Sequence, residues 1–328
     1  MNPRLGAPAL RAPHWLPGGN LQTLWAALFA RRHEGGAPQL VRERWTTPDA
    51  DFIDVDFGAP AEPGMPALVL FHGLEGSSAS HYAQAFAAVA AQRGWGFALP
   101  HFRGCSGELN LAPRAYHSGD HEEIGWILGR LRLRFGAPML TAGVSLGGNA
   151  LLRWAGEAGD AAAAVATAVA AVSSPLDLAA AGASIDRGFN RLVYARNFLV
   201  TMKRKAEAKW VQHPRLFDRE RVRAARTIFE FDDAFTAPLH GFAGTVDYWA
   251  RASAKPHLPR IRVPALALNA VNDPFVPVAS LPPPQAAGPC VTLWQPPHGG
   301  HCGFPVGRFP GHVRAMPQAV CDWFDAVR

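Results

Sequence analysis

Six short, almost uninterrupted apolar runs, each followed by a stretch of helical periodicity, constrain this chain more than any other feature. They are "PALVLFHG" (66–73), "WGFALPHFRG" (95–104), "APMLTAGVS" (137–145), "TAVAAVSSPLD" (167–177), "VPALALNAVND" (263–273) and "CVTLWQP" (290–296). A strand open to water on one side alternates apolar and polar residues, whereas a strand covered on both sides does not. The pattern therefore predicts an α/β fold, a mostly parallel central sheet with helices on both faces. Tyr82, Phe86 and Val89 share one helix face, as do Ile124, Ile127, Leu128, Leu131 and Phe135 ahead of Gly136. A last helix presents Met316, Val320, Trp323, Phe324 and Val327. Ahead of the alternation, "VRERWTTPDADFIDVDF" (41–57) reads as two strands around a Pro-Asp turn, an antiparallel edge.

Between about 174 and 255 the alternation stops. The stretch turns mostly helical, with Tyr194, Phe198, Trp210, Phe217 and Phe231 set among charges. This predicts a helical cap (174–255) inserted into a core made of 1–173 and 256–328, with an N-terminal extension over 1–40.

With 48% hydrophobic and 18% charged residues among 328, the chain can bury a large core and is not disordered. Its four cysteines, Cys105, Cys290, Cys302 and Cys321, show no Cys-x-x-Cys spacing, which favours a reduced, cytoplasmic protein. The first twenty residues have no long apolar core, so no secretory leader is expected. The longest apolar stretch, 161–172, is well short of the ~20 residues of a membrane span, so contact with lipid would be peripheral. The net charge of +6 comes mostly from dispersed arginines and does not call for a nucleic-acid partner. One dense cluster, "MKRKAEAKW" (202–210), reads as an exposed helix face.

Chemistry concentrates where the third apolar run ends. "GVSLGGN" (143–149) holds Gly-x-Ser-x-Gly between a strand and a helix, a sharp turn that exposes the hydroxyl of Ser145. Gly143 and Gly147 remove the side chains that would collide there, and the helix amino terminus faces charge developing near the serine. A serine hydroxyl needs a base, and the base needs an orienting carboxylate. The last two apolar runs end in Asp273 and in a loop with two histidines, His298 and His301, so the order is Ser, Asp, His. His301 is preferred because Gly299-Gly300 lets its loop turn back over the serine. The amides of Leu146 and of Leu74, after the His72-Gly73 turn, are the expected oxyanion donors, with His72 organising that loop. "YHSGDHEE" (116–123) could offer metal ligands but reads as a helix start; neither a metal nor a cofactor is expected. Asp232, Asp233 and His240 are expected to order the cap through polar contacts with the core.

The segments "HWLPGGNLQTLW", "FHGLEGSSASHY", "HFRGCSGELN", "YHSGD", "GVSLGGN", "FEFDDAFTAPLHGF", "NDPFVP" and "GGHCGF" together resemble the YheT-like branch of the α/β-hydrolases. The resemblance spans nearly the whole chain. It implies an α/β-hydrolase fold and an esterase- or lipase-like serine hydrolase, with Ser145, Asp273 and His301 as triad and Leu74 and Leu146 as oxyanion donors.

The expected activity is hydrolysis of a small-molecule carboxylic ester through an acyl-enzyme, with an apolar acyl group accommodated under the aromatic-rich cap. An acyltransferase would share the first half-reaction. A non-catalytic binding protein of the same fold is the remaining alternative.

Overall fold

The computed structural model describes residues 10–34 and 36–328. The leader reading and the start of the N-terminal extension, where they rest on residues 1–9, lie outside the described residues. Eight strands form one sheet in the order β1-β2-β4-β3-β5-β6-β7-β8. They are β1 Val41–Thr46, β2 Phe52–Phe57, β3 Ala67–Phe71, β4 Gly96–Pro100, β5 Met139–Val144, β6 Ala166–Val172, β7 Ala265–Leu268 and β8 Val291–Trp294. β2 runs against both of its neighbours, and the ladder from β4 to β8 is parallel throughout. The apolar runs of β3, β4, β5 and β7 are buried at every position, as strands between two helical layers must be.

On one face α3 (His121–Phe135) and α4 (Leu146–Ala158) pack over Val69, Phe71 and Val169. On the other, α2 (His81–Gln92) and the last helix (Ala315–Val327) pack over Leu68, Leu70 and Leu266. α3 starts where "YHSGDHEE" predicts a helix, with the Asp120 carboxylate accepting from the Glu123 amide. α1 (Gly19–Leu28) precedes the sheet and lies along its carboxyl-terminal edge, against the loop that carries His301.

Between β6 and β7 the chain is helical. α5 (Leu178–Ile185) leads to α6 (Gly188–Asn190), which runs through a π-turn into the long α7 (Arg196–Gln212). α8 (Arg219–Ala224), α9 (Ile228–Phe231), α10 (Ala237–Leu239) and α11 (Thr245–Ala252) follow. These helices have their own apolar core around Leu199, Phe217, Phe231, Phe235 and Trp249. The short α12 (Pro284–Ala287) and the last helix, α13 (Ala315–Val327), complete the chain.

The basic cluster 202–210 does not form a solvated face. Lys209 is buried with its ammonium donating to the carbonyls of Asn110 at 2.6 Å and Ala112 at 2.9 Å, and Lys205 turns inward to Glu75. A long stem let both lysines cross to acceptors on the core, leaving Arg204 exposed. The acid pair also departs from expectation. Asp232 accepts from Thr236 and the Trp249 indole, and Asp233 from Thr245 and Arg221, all within the insertion. His240 alone of that group meets the core, its ring 4.4 Å from that of His117.

Candidate active site

Ser145 stands at the end of β5 with φ 53° and ψ −121°, a strained geometry for a side chain with a Cβ. Its amide donates to the Val172 carbonyl at 2.8 Å, so the neighbouring strand holds the turn. The turn is possible because α4 nearly touches the sheet: Gly147 lies against the Phe71 and His72 carbonyls.

Asp273 and His301, 128 and 156 residues further along the sequence, reach the same point from the loops after β7 and β8. The Ser145 hydroxyl lies 2.9 Å from His301 Nε2, and His301 Nδ1 lies 2.9 Å and 3.1 Å from the two Asp273 oxygens. A carboxylate can only accept, so Nδ1 donates to Asp273, and in the neutral ring Nε2 accepts from the serine. Asp273 is itself held by the amides of Phe275 at 2.8 Å and Val276 at 3.3 Å. Burial alone would lower the His301 imidazole; the Asp273 carboxylate beside Nδ1 outweighs it and raises the ring to about 10.

The remaining named residues fall as follows. His298 is exposed and faces Asn272 instead of the serine. His72 is fully buried, with Nε2 accepting from the Phe102 amide and Nδ1 donating to the Gly73 carbonyl, an arrangement that fixes the loop. The amides of Leu74 and Leu146 have no protein acceptor among the described residues, and both leucines line the cleft that holds Ser145 and His301. Cys302 packs in the core with its amide donating to Ser173.

Three supports were not singled out from the sequence. In α1, Thr23 Oγ1 accepts the His301 amide at 2.8 Å, and Gln22 Oε1 accepts from Gly299 and Asn272, both at 2.9 Å. The buried polar pair Gln22-Thr23 thus holds both loops that carry the imidazole and its carboxylate. A polar pair inside an otherwise apolar helix was the available signal. Behind Leu74, the Glu75 carboxylate accepts from Lys205 of α7 and from the Tyr116 hydroxyl, each at 2.8 Å, while the Glu75 amide donates back to Tyr116. Asn149 ties the end of the insertion to α4, donating to Ser118 and to the Ala252 carbonyl, and accepting from the Ala254 amide.

The cleft above Ser145 has a volume of about 630 Å³ and is walled by apolar side chains, among them Leu178, Ile185, Val193, Phe198, Met202 and Phe275. A second depression of about 680 Å³, between α5 and α11, contains none of Ser145, Asp273 or His301. No group of three or more histidines, cysteines or acids able to hold a metal occurs among the described residues.

Residues 66–307 match the sequence model of the α/β-hydrolase fold. The chain is 38% identical over 309 residues to YheT of Escherichia coli (strain K12), a protein named provisionally as an esterase, covering 93% of this chain and 89% of that one. It is 32% identical over 268 residues to phospholipase ABHD3 of Mus musculus, covering 80% of this chain but 64% of the longer relative. Among solved structures, the esterase Pf2001 of Pyrococcus furiosus superposes with a TM-score of 0.56 at 14% identity, over 91% of this chain and 97% of that one, a likeness of fold.

Proposed function

Since the chain belongs to the α/β-hydrolase family, and within it to the YheT-like branch, we propose that this hydrolase cleaves carboxylic esters through Ser145, His301 and Asp273. The observation that carries the reading is the unbroken relay of 2.9 Å contacts from serine hydroxyl to imidazole to buried carboxylate.

In this mechanism Ser145 Oγ attacks the ester carbonyl as its proton passes to His301 Nε2. Asp273 stabilises the imidazolium and keeps the ring oriented. The negative charge that develops on the carbonyl oxygen is met by the amides of Leu74 and Leu146 and by the positive end of α4. Collapse of the tetrahedral species breaks the carbon–oxygen bond to the alcohol, which leaves with the proton from His301. Water, deprotonated by the same imidazole, then attacks the acyl-serine and regenerates the enzyme. These steps use only the chain's own side chains and backbone amides, the ester and water.

The apolar cleft walls support an ester with an apolar acyl group, and the helices of 174–255, which supply much of those walls, support the reading of this segment as a cap. Among the described residues no helix is long and apolar enough to cross a membrane. All four cysteines are unpaired, which supports a reducing, cytoplasmic setting.

The test is labelling with a fluorophosphonate probe, read beside hydrolysis of a nitrophenyl ester series. Both signals are expected from the wild-type chain and neither from Ser145→Ala. Folded wild-type protein that takes no label would overturn the assignment. Adding an alcohol acceptor and analysing products separates water from alcohol as the second substrate.

A further inference from the structure

α1 is built inside out. Its buried residues are Gln22, Thr23 and Ala26, whose side the chain needs to hold the histidine loop. Leu21 and Leu28 of the same helix, and Phe29 just past its end, are turned to solvent: Leu21 is 49% exposed, Leu28 65% and Phe29 61%. In a helix packed on a core for stability the pattern is the reverse. The exposed stripe continues onto the neighbouring loop, where Phe309 is 72% exposed and its ring lies 5.5 Å from both Trp15 and Trp25. The two indole N–H groups donate to the carbonyls of Gly307 and Pro310, so the aromatic cluster is held as a fixed surface. An exposed apolar patch of this kind marks a contact surface.

The patch lies at the mouth of the cleft. Leu24, Ala27 and Leu28 of α1 line the cleft itself, and Leu28 belongs to the exposed patch as well, so the patch adjoins the cleft mouth. Across the opening, where Tyr194 donates to the Asn20 side chain at 2.9 Å, Phe189 is exposed with its ring 6.1 Å from that of Tyr194. Cations stand beside the aromatic cluster: Arg308 precedes Phe309, Arg31 is joined through its backbone to Gly311 and His312, and Arg32 lines the cleft. None of the three forms an ion pair with a carboxylate among the described residues, although Arg32 donates to Gln84 and to the Ala27 carbonyl, while Glu34, the acid on this stretch, is taken up by Arg314.

We propose that this rim docks the protein onto an anionic lipid surface, with the cleft mouth facing the lipid. Aromatic and aliphatic side chains would enter the boundary between headgroups and acyl chains, and the exposed guanidinium groups of Arg31 and Arg308 would meet the headgroup charge. A second copy of the chain fits less well, because a two-fold contact through this patch would set the same arginines against each other. The surface itself is independent of the triad. Its consequence, that the ester is taken from a lipid aggregate, rests on the proposed hydrolase reading.

The experiment is co-sedimentation of the Ser145→Ala chain with vesicles of phosphatidylglycerol and phosphatidylcholine, and with phosphatidylcholine alone. Binding is expected to the anionic vesicles, to weaken at high salt, and to fall at least about tenfold in Phe29→Asp/Phe309→Asp. Neither phenylalanine lines the cleft, so in an otherwise wild-type chain that pair of changes leaves turnover of a water-soluble nitrophenyl ester unaltered, which also reports that the variant folds; Leu21→Glu serves as a second variant. Absence of wild-type binding, equal binding to neutral vesicles, full binding by the double variant, or a dimer dissolved by Phe29→Asp would each overturn the proposal. Vesicle binding together with no fluorophosphonate labelling of the folded wild-type chain would leave the docking surface standing and remove the hydrolase reading instead.

Discussion

Replacing Gly147 by alanine tests the turn that presents Ser145. A Cβ at this position would lie 2.4 Å from the His72 carbonyl oxygen and 2.7 Å from that of Phe71, where ordinary contact begins at 3.4 Å. Both obstacles are backbone at the end of β3, so no side chain can swing aside. The first turn of α4 must instead withdraw by about 1 Å, taking the Leu146 amide away from the Leu74 loop, and a misplacement of that size is worth up to ~100-fold in rate. Overpacking of this kind also destabilises by about 1–3 kcal/mol, a shift of a few degrees in Tm. Gly129 in α3 provides the control, because a Cβ there meets nothing within 4 Å. The same substitution at Gly129 relieves a helix-interior glycine and is expected to stabilise by about 0.5–1 kcal/mol without changing kcat. Thermal melts and kcat for a soluble nitrophenyl ester, measured on both variants, decide the matter. If Gly147→Ala keeps the wild-type Tm and kcat, the close helix–strand contact does not govern the serine turn, and the reasoning fails.

Further outcomes follow from the same geometry. His301 has its pKa raised above 6.5, so its base form accumulates with alkalinity and kcat/KM rises as pH passes from 6.5 toward 9; Asp273→Asn lowers kcat by ~10³–10⁴-fold and moves the midpoint down. A wild-type midpoint below 6.5 would contradict the coupling. The linked stability has the matching sign: it is fully present below 6.5 and lost as pH rises through about 10. Asp232 is an acid raised to about 6, by burial against the partial relief of Thr236 and Trp249. Its contribution is present below 3.8 and lost as pH rises through 6, so Asp232→Asn gains about 1–3 kcal/mol at pH 8 and the gain closes in acid, read by melts at both pH values. Lys205→Met removes the cation holding Glu75 behind the Leu74 amide and lowers kcat about tenfold with little change in KM, and Lys205→Arg recovers most of it. An unchanged kcat would make this ion pair a stability element only.

The sheet, the serine turn and the order of Asp273 and His301 were legible in the sequence because each is a local pattern. An apolar run of strand length, a glycine pair around a serine, and polar residues at the ends of two later strands need no knowledge of distant contacts. What the linear chain hides is which polar side chain meets which partner across the fold. Gln22 and Thr23 support a loop more than 270 residues away, and nothing near them in sequence names it. Lys205 and Lys209 have the spacing of a solvated helix face, and they turn inward because Glu75 and the Asn110 and Ala112 carbonyls stand opposite. Burying a charge is decided by the acceptors it finds, and those are supplied only when the insertion has packed on the core. Local periodicity was therefore enough to specify the elements and the serine turn, while the supports of the site and the outward-turned face of α1 exist only in three dimensions.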